Sequence, residues 1–350
     1  MKKLLSLLLA VLMIFALASC NKTTTQPTQA PTQAPEQTEE PELPEVTEVP
    51  EVPVGPQVVK VGVSIYKFDD NFMTLYREEL QRYFEEDLSC DDVTYVVEIV
   101  DGKGDQNEQT NQIETFIAAG VDVLIINLVQ SSSASTVIDL VAAADIPTVF
   151  INREPTEEDM QLWDKITYVG ADARQSGTFQ GEIIRDLPNK GDINGDGIVS
   201  YVMVVGDPEN VDAQYRTEFS IKALEDDGIA VNKLVEQRGD WMQERGQEIV
   251  ASALAQYGDE VEVVFCNNDA MALGAIEAIE AAGRVVGEDI YLVGVDALPE
   301  AVTAVKEGRM TGTVLNDHIG QSNKAADVAV LFVTGADVEK YYTVDYVKVD

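Results

Sequence analysis

Residues 261–282 read VEVVFCNNDAMALGAIEAIEAA: an apolar β-rich run, a polar Asn-Asn-Asp break, then a helical stretch over 269–282. The same strand, polar turn and helix recur on both sides. Toward the N-terminus the order is VVKVGVSI (58–65), helix 72–87, VTYVVEIV (93–100), helix 107–119, VLIIN (123–127), helix 133–144 and PTVFI (147–151). After ITYVG (166–170) the pattern restarts with helix 175–186, SYVMVV (200–205), helix 212–227, strand 230–236, helix 241–254, the quoted stretch and YLVGV (291–295). Strands that alternate with helices predict parallel βαβ layers, because a parallel crossover needs a helix to return the chain. The fold class is therefore α/β, in two similar units joined near residues 165–168.

In open parallel sheets a ligand binds outside the carboxyl ends of the strands. Polar residues stand at those ends throughout. Asp70 and Phe72 follow the first strand, Asn127 ends VLIIN, Asn268 and Asp269 follow VEVVFC, and Asp296 ends YLVGV. Asn316 follows the run GTVL, and Asp212 and Arg216 open the helix after VMVVGDPEN. Both units contribute, so a site is expected between them. Carboxylates accept hydrogen bonds, a guanidinium donates through a planar fork and amides do both, which suits neighbouring hydroxyls on a ring. Phe72 and Trp241 could cover the apolar C–H face of a pyranose. Such a set fits a neutral sugar. The alternatives are that the Asp and Asn residues cap helices or shape turns and that both rings are core.

The first twenty residues, MKKLLSLLLAVLMIFALASC, combine a Lys-Lys start, an apolar run and small residues at the end, the architecture of a secretory signal. Leu17, Ala18, Ser19 and Cys20 look like the lipobox of bacterial lipoproteins. Cys20 would then be the lipidated N-terminus, and diacylation would supply the two chains that stable anchoring requires. The expected location is extracytoplasmic, on the outer face of the cell membrane or in the periplasm. Residues 21–57 are rich in Thr, Gln, Pro and Glu and read as a solvated tether. Of 24 basic and 62 acidic residues, the leader and tether hold three Lys and seven Glu, so the body carries 21 against 55. With a net charge of −38, nucleic acid is excluded as a partner. Cys90 and Cys266 are expected to be free thiols, with no disulfide framework.

Four stretches, IYKFDDNFM (65–73), INLV (126–129), CNNDAMALGA (266–275) and VGVDALPEA (293–301), supported by GTVLND (312–317), resemble the galactose/glucose-binding proteins of bacterial sugar ABC transporters, within the wider type I periplasmic binding protein family. The resemblance implies two Rossmann-like lobes with parallel sheets on a three-segment hinge, 58–166 with 317–338 and 167–316 with 339–350. It implies a monomer that binds D-galactose or D-glucose and delivers it to a membrane ABC permease, or presents it to a chemosensory or sensor-kinase receptor. Another aldose, such as ribose or xylose, is the alternative ligand. Asp70, Asn127, Asp212, Arg216, Asn268, Asp296 and Asn316 would bond the sugar, and Phe72 and Trp241 would sandwich it. Asn210 stands where the family often has His, so it counts among the sugar-facing residues and bears on hexose preference.

The stretch GDINGDGIVS (191–200) opens like an EF-hand loop, with Asp192, Asn194 and Asp196 at positions 1, 3 and 5 and Gly197 at 6. Position 12, where a bidentate Glu belongs, is Met203. The family resemblance implies a structural Ca2+ whose bidentate carboxylate comes instead from Glu262, with the carbonyl of Ile198 and, where the family has an amide, Ser200. A solvated Asx-rich turn is the alternative. An enzyme is the rival class, with Asp70 and Asp296 as a glycosidase pair, but nothing resembles a nucleophile–base pair and the only His, His318, is expected to be an exposed helix-start residue. Sugar repressors share this body, yet they need a helix-turn-helix and a basic surface.

Overall fold

Runs such as VLII, TVFI and VVFC lack any polar alternation, which is the mark of strands covered on both faces. The computed structural model, which describes residues 57–350, buries every residue of these three strands, β3 (Val123–Ile126), β4 (Thr148–Ile151) and β8 (Val263–Cys266). In the first lobe they are joined by β1 (Gln57–Ile65), β2 (Val93–Asp101) and β5 (Ile166–Gly170), with α1 (Asn71–Arg82), α2 (Gln106–Ala119) and α3 (Ala134–Ala143) between them. The second lobe runs through α4 (Ala173–Arg185), β6 (Ile198–Val205), α5 (Val211–Glu225), β7 (Ala230–Arg238), α6 (Gln243–Tyr257), β8, α7 (Asp269–Ala281) and β9 (Tyr291–Val293). It continues through α8 (Pro299–Lys306) and β10 (Thr313–Leu315). The chain then returns to the first lobe with α9 (His318–Thr334) and β11 (Tyr341–Thr343), and ends in the second with β12 (Val347–Val349).

The first sheet has the order β11-β5-β4-β3-β1-β2 and is parallel throughout. The second has the order β7-β6-β8-β9, also parallel, and bridges Val293 to Gly312 and Asp296 to Leu315 set β10 beside β9. β12 closes this edge as an antiparallel partner of β10. Each sheet carries an apolar layer on both faces, so the two lobes have separate cores. The chain crosses between lobes three times: after Gly170, between Leu315 and His318, and between Thr343 and Val347.

Pairing moves two expected lobe limits. β5 runs in the first sheet as far as Gly170, and β11 pairs with it, Tyr341 opposite Tyr168. Residues 167–170 and 341–343 therefore belong to the first lobe, not the second; a three-residue strand joins whichever sheet edge is open, which its own composition does not record. Gln57 lies opposite Val93 in β1 and is part of the sheet rather than the tether. Cys20, the signal and the tether through residue 56 lie outside the described residues. Cys90 is exposed, Cys266 is buried and both are free. His318 opens α9 as expected but is half-buried rather than exposed. Among the described residues no helix is long and apolar enough to cross a membrane.

Gly181 sets one distance that matters for the site. A Cβ there would lie 2.3 Å from the Ser220 carbonyl oxygen, so only glycine lets α4 and α5 approach this closely. That contact seats α5, the helix that carries Asp212 and Arg216.

Candidate binding cleft

Strand-end residues serve twice here, since those expected to cap helices are also those that face the cleft. Asp70 caps α1, its Oδ1 accepting from the Met73 amide at 2.7 Å, while its Oδ2 accepts from the Tyr66 hydroxyl at 2.6 Å. Asn210 caps α5 through the Asp212 amide at 3.0 Å, and Asn268 caps α7 through the Met271 amide at 3.0 Å. Capping and ligand binding are compatible because each side chain keeps unused lone pairs or N–H groups. The three helix N-termini also turn their positive ends toward the same space.

That space has a free volume of about 30 Å3, far below the roughly 300–1,000 Å3 typical of ligand sites, so the lobes must part to admit a ligand. Asp70 and Phe72 enter it from the first lobe, Asn210, Asp212, Arg216, Trp241, Asn268 and Asp296 from the second, and Asn316 from the second crossing. Arg216 is 3 % exposed; its Nη1 donates to the Asn267 carbonyl at 2.8 Å and its Nη2 to the Tyr346 hydroxyl at 3.2 Å. Asp212 lies 3.8 Å and Asp296 4.0 Å from its guanidinium. Asn316 donates to Asp296 Oδ1 at 3.2 Å and accepts from Gln321 at 2.6 Å. The Nε atoms of Arg216 and Arg153 are buried without a protein acceptor.

Backbone strain gathers at the same place. Asn152, Asp240, Trp241, Asp296 and Ala297 all have positive φ, from 52° to 121°, a conformation that costs of order 1–3 kcal/mol for such residues. Asp269 holds the Asp296 turn: its Oδ2 accepts from the Leu298 amide at 2.9 Å and its Oδ1 from the Thr313 hydroxyl at 2.6 Å. The Trp241 ring lies on Gly206, where a Cβ would come within 2.2 Å of it.

One expected ligand residue is elsewhere. Asn127 is fully buried and absent from the pocket lining; its Oδ1 accepts from the Tyr66 amide at 3.2 Å, and its Nδ2 donates to the Ile151 carbonyl at 3.3 Å and to Asn152 Oδ1 at 3.1 Å. It ties the ends of β1 and β4 together, and both of its N–H donors are consumed there. In its place the pocket takes Tyr66, Met73, Asn152 and Arg153. Tyr66, Asn152 and Arg153 directly follow β1 and β4, so the strand-end rule that points to Asp70 and Asn127 points to them as well.

Burial pushes the Asp212 carboxyl up to about 6, against the pull of Arg216 and Arg153, and the Asp296 carboxyl up to about 7, against that of Arg216. The folded protein thus retains protons that an unfolded chain, with Asp near ~3.9, has released. The stability these groups lend is complete below that value and is lost as pH rises through 6 and 7. Calorimetry on sugar-free protein should therefore show the Tm of Asp296→Asn climbing relative to wild type from about pH 5 to about pH 8. A constant gap would mean that Asp296 is ionised throughout.

Loop 192–200 is organised around Glu262, which is 1 % exposed and immediately precedes β8. Its Oε1 accepts from the amides of Ile193 (2.7 Å) and Asn194 (3.0 Å), and its Oε2 from that of Ser200 (2.8 Å). Asp192 accepts from the Gly195 and Gly197 amides, Asn194 from Asp196 and Asp196 from Ile198. Gly195 and Gly197 have φ of 76° and 89°, the turn that a cation loop needs. Ser200 Oγ accepts from Asn232 at 3.2 Å, and Met203 is core. Among the described residues, no group of three or more His, Cys, Asp or Glu side chains is arranged to hold a metal ion. The donor set is nonetheless all hard oxygen, which fits Ca2+ in kind.

Two parallel-sheet lobes, crossed three times by the chain and enclosing a polar pocket with aromatic walls, define a hinged ligand-binding protein. Residues 61–337 match the family described as Periplasmic binding protein domain. The chain is 34% identical over 276 residues to the D-galactose/methyl-galactoside binding periplasmic protein of Haemophilus influenzae, covering 77% of this chain and 80% of that one. It is also 34% identical over 282 residues to a protein of Rhizobium meliloti assigned to rhizopine binding, covering 80% of this chain and 86% of the other. The structure of an ABC transporter solute binding protein from Bacillus halodurans with bound myo-inositol superposes with a TM-score of 0.71 at 31% identity, over 84% of this chain and 94% of that one. The chain belongs to the periplasmic binding protein family, the extracytoplasmic substrate-binding proteins that serve sugar ABC transporters, and it is not an enzyme. The glycosidase alternative falls with that membership.

Proposed function

We propose that this protein captures D-galactose or D-glucose between its lobes and delivers it to a membrane ABC permease. The observation that carries the reading is the pocket that joins Asp70, Asp212 and Asp296 to Arg216 and four amides, with Phe72 and Trp241 among its walls. The galactoside-binding relative supports it. Open lobes expose the strand ends, the sugar bridges residues of both lobes, and the closed form is the one a permease recognises. A cyclic polyol is the second reading, since the Bacillus halodurans protein carries myo-inositol. Calorimetric titration of residues 58–350 with glucose, galactose, myo-inositol, ribose and xylose tests both. Tight binding of either hexose supports the first reading, tight binding of myo-inositol alone the second, and a pentose preference rejects both.

Cys20 as the lipidated N-terminus belongs to the same proposal; metabolic labelling with a clickable fatty acid should mark the wild type and not Cys20→Ala. Presentation of bound sugar to a chemosensory or sensor-kinase receptor is compatible with this location. A structural Ca2+ held by Asp192, Asn194, Asp196, Ser200, Glu262 and the Ile198 carbonyl completes it. The ion would relieve the carboxylates that now satisfy loop amides and would tie the loop to β8, whose far end leads into Asn268. At a hundredfold excess over Kd, Ca2+ should raise Tm by roughly 5 °C or more, and Glu262→Gln should abolish the response. A Tm indifferent to chelator would reject the ion.

A further inference from the structure

Among the described residues, one ion pair crosses from lobe to lobe. Arg153 lies two residues beyond β4, Asp207 two residues beyond β6, and Nη1 stands 3.4 Å from Oδ2. Every other ion pair near the cleft joins residues of the same lobe.

Each partner is fixed by its own lobe before the two meet. Arg153 is 2 % exposed, its Nη1 donates to the Val129 carbonyl at 2.6 Å, and its guanidinium lies 3.9 Å over the Tyr66 ring. Asp207 Oδ1 accepts from the Glu209 amide at 3.1 Å and faces Arg238 at 3.4 Å. Most exposed pairs contribute little because two long side chains lose entropy when they pair; here little ordering remains to be done. The arrangement also reaches the ligand side, since Tyr66, under the guanidinium, donates to Asp70. Asp207 itself does not line the pocket.

We propose that Arg153 and Asp207 form a clasp across the cleft, which stabilises the closed form and so sets ligand affinity without Asp207 touching the ligand. With the lobes apart both charges are hydrated; with the lobes together they meet in a largely dry site. Apparent affinity scales with the fraction of molecules in the competent form, so the clasp makes Asp207 a positioning residue. The inference rests on closure of the cleft and holds for any ligand that fills it.

Small-angle scattering on ligand-free wild type, Asp207→Asn and Asp207→Glu, at about 50 mM and about 500 mM NaCl, reads the clasp directly. Ligand-free wild type should be more compact than Asp207→Asn at low salt, expand as salt rises, and be matched by Asp207→Glu, which keeps the charge. Hexose affinity of Asp207→Asn should fall about three- to tenfold and lose its salt dependence. Identical ligand-free profiles for wild type and Asp207→Asn at both salts would overturn the clasp. If no hexose binds while the ligand-free profiles differ as expected, the sugar assignment fails and the clasp stands.

Discussion

Arg216→Met should abolish measurable sugar binding and cost about 3–5 kcal/mol of folding stability, the usual consequence of leaving buried charges without their counter-ion. Arg216 stands between two carboxylates, 3.8 Å from Asp212 and 4.0 Å from Asp296, and all three are at most 5 % exposed. It also donates to the Tyr346 hydroxyl, and Tyr346 lies in the third interlobe crossing, so the substitution loosens the hinge side of the pocket. Its carboxylate neighbours can escape part of the penalty by protonation, for which burial already prepares them. The loss should therefore be larger near pH 8 than near pH 5 in urea denaturation. Equal stability of variant and wild type at the higher pH would show that solvent, not Arg216, balances these carboxylates.

Trp241→Ala should weaken sugar binding by two orders of magnitude or more, as expected for a central aromatic anchor, while leaving the unfolding midpoint close to wild type. The ring packs against the second-lobe core but is only half-buried, and it belongs to the loop before α6. It is aimed by a strained backbone, φ 55° at Asp240 and 64° at Trp241, and by the bare surface of Gly206 beneath it. Gly206→Ala should therefore reproduce part of the defect by pushing the ring aside, with no change to the ring itself. Titration calorimetry on both variants checks the pair; unaltered affinity in Trp241→Ala would place the stacking surface elsewhere.

Much of this was legible along the chain. β3, β4 and β8 are apolar at every position because helices cover both faces, so their existence and parallel setting follow from composition. Asp70, Asn210 and Asn268 are small polar residues that follow strands and precede helices, a place where capping chemistry and ligand chemistry ask for the same side chains. Asn127 satisfies the same pattern yet is spent on Tyr66, Ile151 and Asn152, because the neighbours that consume an amide's capacity are contributed by other strands. Arg153 stands at a strand end like the others, but nothing near it in the chain reveals that Asp207 will face it.

By itself, then, the sequence determined the periodic elements, their parallel arrangement, the strand ends at which a ligand would sit and the acidic charge that excludes nucleic acid, since each is a local or additive property of the residues. Only the tertiary structure decided which lobe β5 and β11 join, which polar side chains retain free hydrogen-bonding capacity, that Glu262 meets the amides of loop 192–200 from 62 residues beyond Ser200, and that, among the described residues, a single ion pair spans the cleft. These depend on which distant groups are brought within 4 Å of one another, and burial then fixes which of them can stay charged or unpaired.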